Sequence, residues 1–237
     1  MHINVSEVAG LIGYHKYRPQ NEEIEKYRRK YNHDYEYSDK LIEEKILLDN
    51  ELSKLSKKLS LSNPGKLDDN IEKIESNINS NEEPTLRKIS DLMENSGLDK
   101  ETKKEIVSSN LCRVYGTKNE INGFELYKRL YDSRVVESKR CRKLVIDPNI
   151  TLLGRIDGII RNKKIIEIKN RKNRIFHFLP EYEKVQITLY MKMFGLNRCD
   201  FIQCHGKTHD VKTYEFDEEY YEEIINLLIQ IVNEQIL

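Results

Sequence analysis

The stretch that decides the fold is Gly154-Arg155-Ile156-Asp157-Gly158-Ile159-Ile160-Arg161-Asn162-Lys163-Lys164-Ile165-Ile166-Glu167-Ile168-Lys169. Two apolar, β-branched runs flank a short polar break at Asn162, the pattern of a strand, a tight turn and a second strand. Side chains alternate between the two faces of a strand. Residues 163–170 therefore place Ile166 and Ile168 on the core face. Glu167 and Lys169 share the opposite face, about 7 Å apart along the chain. An antiparallel turn near Asn162 brings Asp157, on a strand expected over 150–160, across to Glu167. Gly154 and Gly158 read as open backbone where a ligand approaches Asp157 closely.

Two carboxylates with a lysine beside them fit a site for a hard divalent cation such as Mg²⁺ or Mn²⁺, one ion or two. A cation of this kind acidifies bound water and clamps a phosphate. The bland reading is a turn-capping Asp157 and a surface Glu167–Lys169 pair worth under about 1 kcal/mol.

Outward from this core, strands are expected near 133–138, 143–147, 199–205 and 211–216. Helices are expected over 5–13, about 117–131, 181–195 and 217–236. Helix, three or four strands, helix, two strands, helix is an α/β arrangement: a central mixed β-sheet flanked by helices. Residues 20–110 differ, being rich in Glu, Lys, Asn and Ser. Leu41, Leu48, Leu52, Leu55 and Leu59 recur at helical spacing over 38–61. Leu67, Ile71, Ile74 and Ile78 start a second stripe, and a third helical pattern covers 85–109. The expected organisation is a core in two pieces, 1–19 and 111–237, interrupted by a charged helical insertion at 20–110.

The formal net charge of zero conceals an asymmetry. Residues 111–212 carry 22 Lys and Arg against 11 Asp and Glu, and the rest carry 18 against 29. A basic half suits a polyanion partner such as nucleic acid. No apolar run reaches the roughly 20 residues that span a bilayer. The N-terminus lacks the features of a signal peptide. An intracellular, unsecreted protein with reduced cysteines is expected. Cys199-x4-Cys204-His205-x3-His209 is a weak zinc pattern, because adjacent Cys204 and His205 would strain a tetrahedral shell.

The run G-x-x-D-G, eight residues, then E-x-K resembles the PD-(D/E)XK nuclease superfamily, with Ile156 in place of the proline. Gly116-Thr117-Lys118-Asn119-Glu120 resembles the G-x-x-x-E that opens a helix in its lambda-exonuclease-like, YqaJ-type viral recombinase family. Ser6-Glu7-Val8 with Tyr17-Arg18-Pro19 resembles that family's N-terminal segment. Tyr182-Glu183-Lys184-Val185-Gln186 resembles its helix with an active-site glutamine. The resemblance covers residues 2–18 and 111–216.

It implies a restriction-endonuclease-like core and a Mg²⁺- or Mn²⁺-dependent 5′→3′ exonuclease on duplex DNA ends, in viral or phage recombination or replication. Asp157, Glu167, Glu120 and the carbonyl of Ile168 would bind metal. Lys169 would position or activate water, and Gln186 would orient either. Ser6, Arg18, Arg155, Arg171, Lys172 and Tyr190 would meet DNA. A single-strand annealing protein is the implied partner, and the family's oligomer is an open possibility. The family's phosphate-binding arginine lies several residues before the serine, and Arg18 or a basic residue from the insertion would substitute for it here. Competing readings are an endonuclease with the same metal site and a non-catalytic DNA-binding or assembly protein built around the insertion.

Overall fold

A computed structural model of the chain describes residues 1–31, 40–59, 74, 76, 84–138 and 140–237. The chain divides into two compact units, Met1–Tyr35 with Glu120–Leu237, and Glu36–Asn119. The division falls later than composition alone places it, at both ends of the inserted segment.

The first unit begins with β1 (His2–Asn4), α1 (Val5–Leu11) and α2 (Gln20–Tyr31). Helix α2 shares the charged composition of the insertion. It nevertheless packs here, because Ile24 and Tyr27 are buried in the main core with Val5, Val8 and Leu11 of α1. The remaining strands are β2 (Val136–Glu137), β3 (Arg142–Asp147), β4 (Ile150–Gly154), β5 (Gly158–Ile160), β6 (Lys164–Asn170), β7 (Arg198–His205) and β8 (Thr208–Glu215).

They form two mixed sheets, ordered β1-β4-β3 and β2-β5-β6-β7-β8. The strand expected over 150–160 is therefore two strands. At Arg155–Asp157 the chain leaves the first sheet and enters the second, and Ile156 at this corner is fully buried. The turn after β5 places Asn162 at φ 57°, a left-handed conformation that asparagine tolerates well.

Strands β6 and β7 run parallel, with Lys169 beside Gln203. Parallel strands are generally covered on both faces, and β6 follows that rule. Ile165 faces the main core, while Ile166 and Ile168 join a second cluster with Phe124, Tyr127 and Ile202. The face that carries Glu167 is thus covered, not open to solvent as simple alternation suggests: Glu167 is 3% exposed. Its cover includes α6 (Glu181–Phe194), which ends at Gly195 with φ 64°. The last helix, α7 (Glu218–Ile231), starts at the cap Asp217, whose side chain accepts from the Tyr220 amide at 3.1 Å. A π-helical turn, Val232–Ile236, follows it.

The second unit holds α3 (Lys40–Leu59), α4 (Pro84–Asn95) and the first part of α5 (Lys100–Leu130). Leu48, Leu52, Leu55, Ile89, Val107 and Leu111 build its own core. Buried Asn110 donates to Ser53 Oγ at 2.8 Å. The stripe Leu67–Ile78 lies outside the described residues, except positions 74 and 76, which are helical. The sequence suggests one helix over 85–109 and another from 117. The break instead falls at 96–99, and α5 continues through Gly116. A lone glycine in a helix costs only about 1 kcal/mol relative to alanine.

Candidate active site

The pairing of β5 with β6 sets Gly158 opposite Ile166. One step further brings Asp157 against Glu167, and Asp157 Oδ2 accepts the Ile168 amide at 2.6 Å. Glu120 reaches the same place from α5 and hydrogen-bonds the Asp157 carboxyl. That approach is close because Gly123, one turn along α5, has no side chain: a Cβ there would stand 2.5 Å from Ile168 Cγ2. Glu120 thus lies deep inside a 31-residue helix, not at a helix N-terminus.

Lys169 Nζ donates to Glu167 Oε1 at 2.8 Å and to Gln186 Oε1 at 3.0 Å. Gln186 Nε2 donates to Glu167 Oε1 at 3.0 Å and to the Tyr190 hydroxyl at 3.2 Å. The other oxygen, Glu167 Oε2, is buried with no hydrogen-bond partner among the described residues. An unsatisfied buried carboxylate oxygen is costly unless a cation or proton meets it.

The electrostatics agree. Burial, the Glu167 charge and the Glu120 hydrogen bond hold the Asp157 carboxyl well above its ordinary pKa. Burial also raises that of Glu167, against the pull of Lys169. Burial alone would lower the pKa of Lys169, but Glu167, Glu183 and Asp157 override it. These carboxylates favour the ammonium form of Lys169.

The donor set of carboxylates suits a hard divalent cation, and Glu167 Oε2 is an oxygen that such an ion would satisfy. Among the described residues, no three His, Cys, Asp or Glu side chains stand in a finished metal-ligand arrangement. Glu120 and Asp157 face one another instead, joined by a hydrogen bond. Cys199 and Cys204 lie on one strand, on opposite faces and about 16 Å apart. A zinc site shared by this pair is thereby excluded.

The residues expected to meet DNA divide. Ser6 and Arg155 are exposed, and Lys172 is partly so. Arg18 comes to the Ser6 segment, where its guanidinium donates to the Ser6 carbonyl at 3.3 Å. Arg171 and Tyr190 lie mostly inside the fold. Arg171 makes a two-pronged ion pair with buried Glu183, at 2.8 and 2.6 Å, and donates to Gln203 Oε1 at 2.8 Å. Its basic character is spent inside the fold. Tyr190 is 5% exposed. Its ring fills the space beside Gly154, where a Cβ would meet it at 2.7 Å. Gly154 and Gly158 thus serve packing, not ligand approach, since Val135, Phe124 and Ile166 crowd Gly158.

Sequence reading missed Glu183. Its signal was its place three residues before Gln186 on one helix, the spacing of side chains that share a face.

No family model matches the chain, and neither does any curated protein. Solved structures with a similar course of chain include SSO0001, at 17% identity, TM-score 0.41, over 54% of this chain and 65% of that one. Another is an alkaline exonuclease, LHK-Exo, from Laribacter hongkongensis, at 14% identity, TM-score 0.44, over 65% and 81%. LHK-Exo in complex with dAMP matches at 18% identity, TM-score 0.38, over 51% and 66%. The chain thus spans just under two thirds of SSO0001 and of the dAMP complex. At these scores the functional reading rests on the site's own side chains.

Proposed function

We propose that the protein is a metal-dependent DNA nuclease that hydrolyses phosphodiesters at the Glu120, Asp157, Glu167 and Lys169 cluster. The observation that carries this reading is Glu167 Oε2: a buried carboxylate oxygen, without a partner among the described residues, beside two further carboxylates and an ammonium. Mg²⁺ or Mn²⁺ bound there would acidify water and neutralise charge on the phosphate. Asp157, Glu167, Glu120 and the Ile168 carbonyl would hold the ion. Lys169, fixed by Glu167 and Gln186, presents a positive charge where the phosphate gains negative charge. Gln186 is fixed in turn by Tyr190.

Exposed Ser6 and Arg155, with Lys172 and Arg18, would hold the DNA backbone. The resemblance of the Ser6-Glu7-Val8, Asp157, Glu167-x-Lys169 and Gln186 segments to lambda-exonuclease-like enzymes supports 5′→3′ digestion of duplex ends in viral or phage-type recombination. An annealing protein would be the partner.

The test is digestion of linear and covalently closed circular duplex DNA, with Mg²⁺, Mn²⁺ or a chelator. Metal-dependent loss of linear DNA alone is the expected outcome. Cutting of the closed circle would make the enzyme an endonuclease, and no cutting of any substrate would defeat the nuclease reading.

A further inference from the structure

Helix α6 carries Tyr182, Gln186 and Tyr190 at four-residue spacing, so all three share one face. Gln186 and Tyr190 belong to the carboxylate site. Tyr182 lies one turn, about 6 Å, toward the helix start. Its hydroxyl is within electrostatic reach of Lys169, Arg171 and Tyr17. The face that orients Lys169 therefore runs on into an aromatic group that the hydrolytic chemistry does not use.

That group has three rings. After α1, Gly13 turns the chain at φ 80°, and the following residues meet the start of α6. The His15 ring stacks on Tyr182 with centroids 4.4 Å apart and planes 28° from parallel. Tyr17 stands edge-on to both, 6.3 Å from each. Burial and the neighbouring Arg18 push the His15 imidazole down to about 4, so it is neutral at pH 7. Tyr17 is 68% exposed, a large ring presented to solvent. Lys16 Nζ lies over one face of the ring, 5.7 Å from its centroid, and Arg18 follows in the chain. An exposed ring beside a stacked pair of rings and basic side chains is an arrangement on which an unpaired nucleobase can stack while its phosphates are neutralised.

We propose that His15, Tyr17 and Tyr182 form a stacking platform for an unpaired nucleobase of the DNA strand, one that flanks the phosphate held at the carboxylate cluster. The proposal rests on the nuclease reading. Tyr17 supplies the open ring, His15 and Tyr182 support it, and Lys16 and Arg18 meet the adjoining backbone. The platform reads no sequence, because every base has a π-face.

The test is binding of the full-length protein to short, dye-labelled single-stranded oligonucleotides in EDTA, by fluorescence anisotropy. Each oligonucleotide carries one abasic nucleotide at a different position. One position is expected to weaken wild-type binding about 5- to 150-fold, the measured range for one stacked base. In Tyr17→Ala that penalty disappears, and in Tyr17→Phe it persists. Tyr17 is mostly exposed, so the variants leave the core intact. Equal binding of all oligonucleotides by the wild type overturns the platform, as does a penalty that survives in Tyr17→Ala. Metal-dependent cleavage alongside either result leaves the nuclease reading standing. Failure of the wild type to bind or cut DNA under any condition overturns both.

Discussion

Arg171→Ala would remove the only cation shown in contact with the Glu183 carboxylate among the described residues. The side chains are 11% and 3% exposed, so water cannot readily take over. Breaking a buried ion pair from one side costs about 3–5 kcal/mol, chiefly because a charge stays buried without its partner. Replacing both partners by apolar groups of similar volume is often close to neutral. Arg171→Ala should therefore lower stability by about 3–5 kcal/mol, while Arg171→Met with Glu183→Leu recovers most of it. The assay is urea unfolding at constant salt, followed by circular dichroism, with DNA affinity measured in parallel. A cost under about 1 kcal/mol together with a large loss of DNA affinity would instead place Arg171 against DNA and not Glu183.

Further outcomes follow from the same geometry. Burial alone would raise the Glu7 carboxyl, but Lys26, Tyr27 and Asn4 hold it at about 2. Its contribution, at most about 3 kcal/mol, is present above pH 4.5 and is lost as pH falls toward 2. Glu7→Gln should flatten stability over that window in unfolding curves taken from pH 7 to pH 3. Asp157 has the opposite sign: its folded pKa is raised, so its contribution is lost as pH rises. Asp157→Asn can still accept from the Ile168 amide and donate to Glu120. It should raise metal-free thermal stability at neutral pH and abolish stabilisation by Mn²⁺, both read by calorimetry. Gly123→Ala should cost about 1–3 kcal/mol in urea unfolding, since its Cβ meets β-branched Ile168 at 2.5 Å. The same change at Gly116, where the space is open, should gain up to about 1 kcal/mol.

Strands β2, β3 and β6 to β8 were legible because β-branched runs and turn residues announce them locally, and β4 and β5 were legible only as one continuous strand. Strand β1 was not. Its three residues are a strand only because β4 lies alongside, parallel to it. The corner at Arg155–Asp157 was hidden for a related reason. Nothing local marks a strand that changes sheets, and buried Ile156 continues the apolar pattern across the break.

At the site, the spacing of Glu167 and Lys169 and the turn at Asn162 sufficed to bring Asp157 and Glu167 together. Gln186 was legible through resemblance alone. The Arg171–Glu183 pair was not, since it bridges a loop and a helix whose approach depends on Gln203 of the neighbouring strand. A run of basic residues after β6 looked like a single DNA-facing surface, yet one of them was committed inward.

The central claim, hydrolysis of DNA at the carboxylate cluster, is tested most directly by cleavage of 5′-end-labelled duplex DNA. Wild type, Asp157→Ala and Lys169→Ala are compared with Mg²⁺, Mn²⁺ and EDTA. Cleavage by the wild type is expected with either cation and not in EDTA, with a loss of at least about 100-fold in both variants. Cleavage that survives EDTA or either substitution would contradict it.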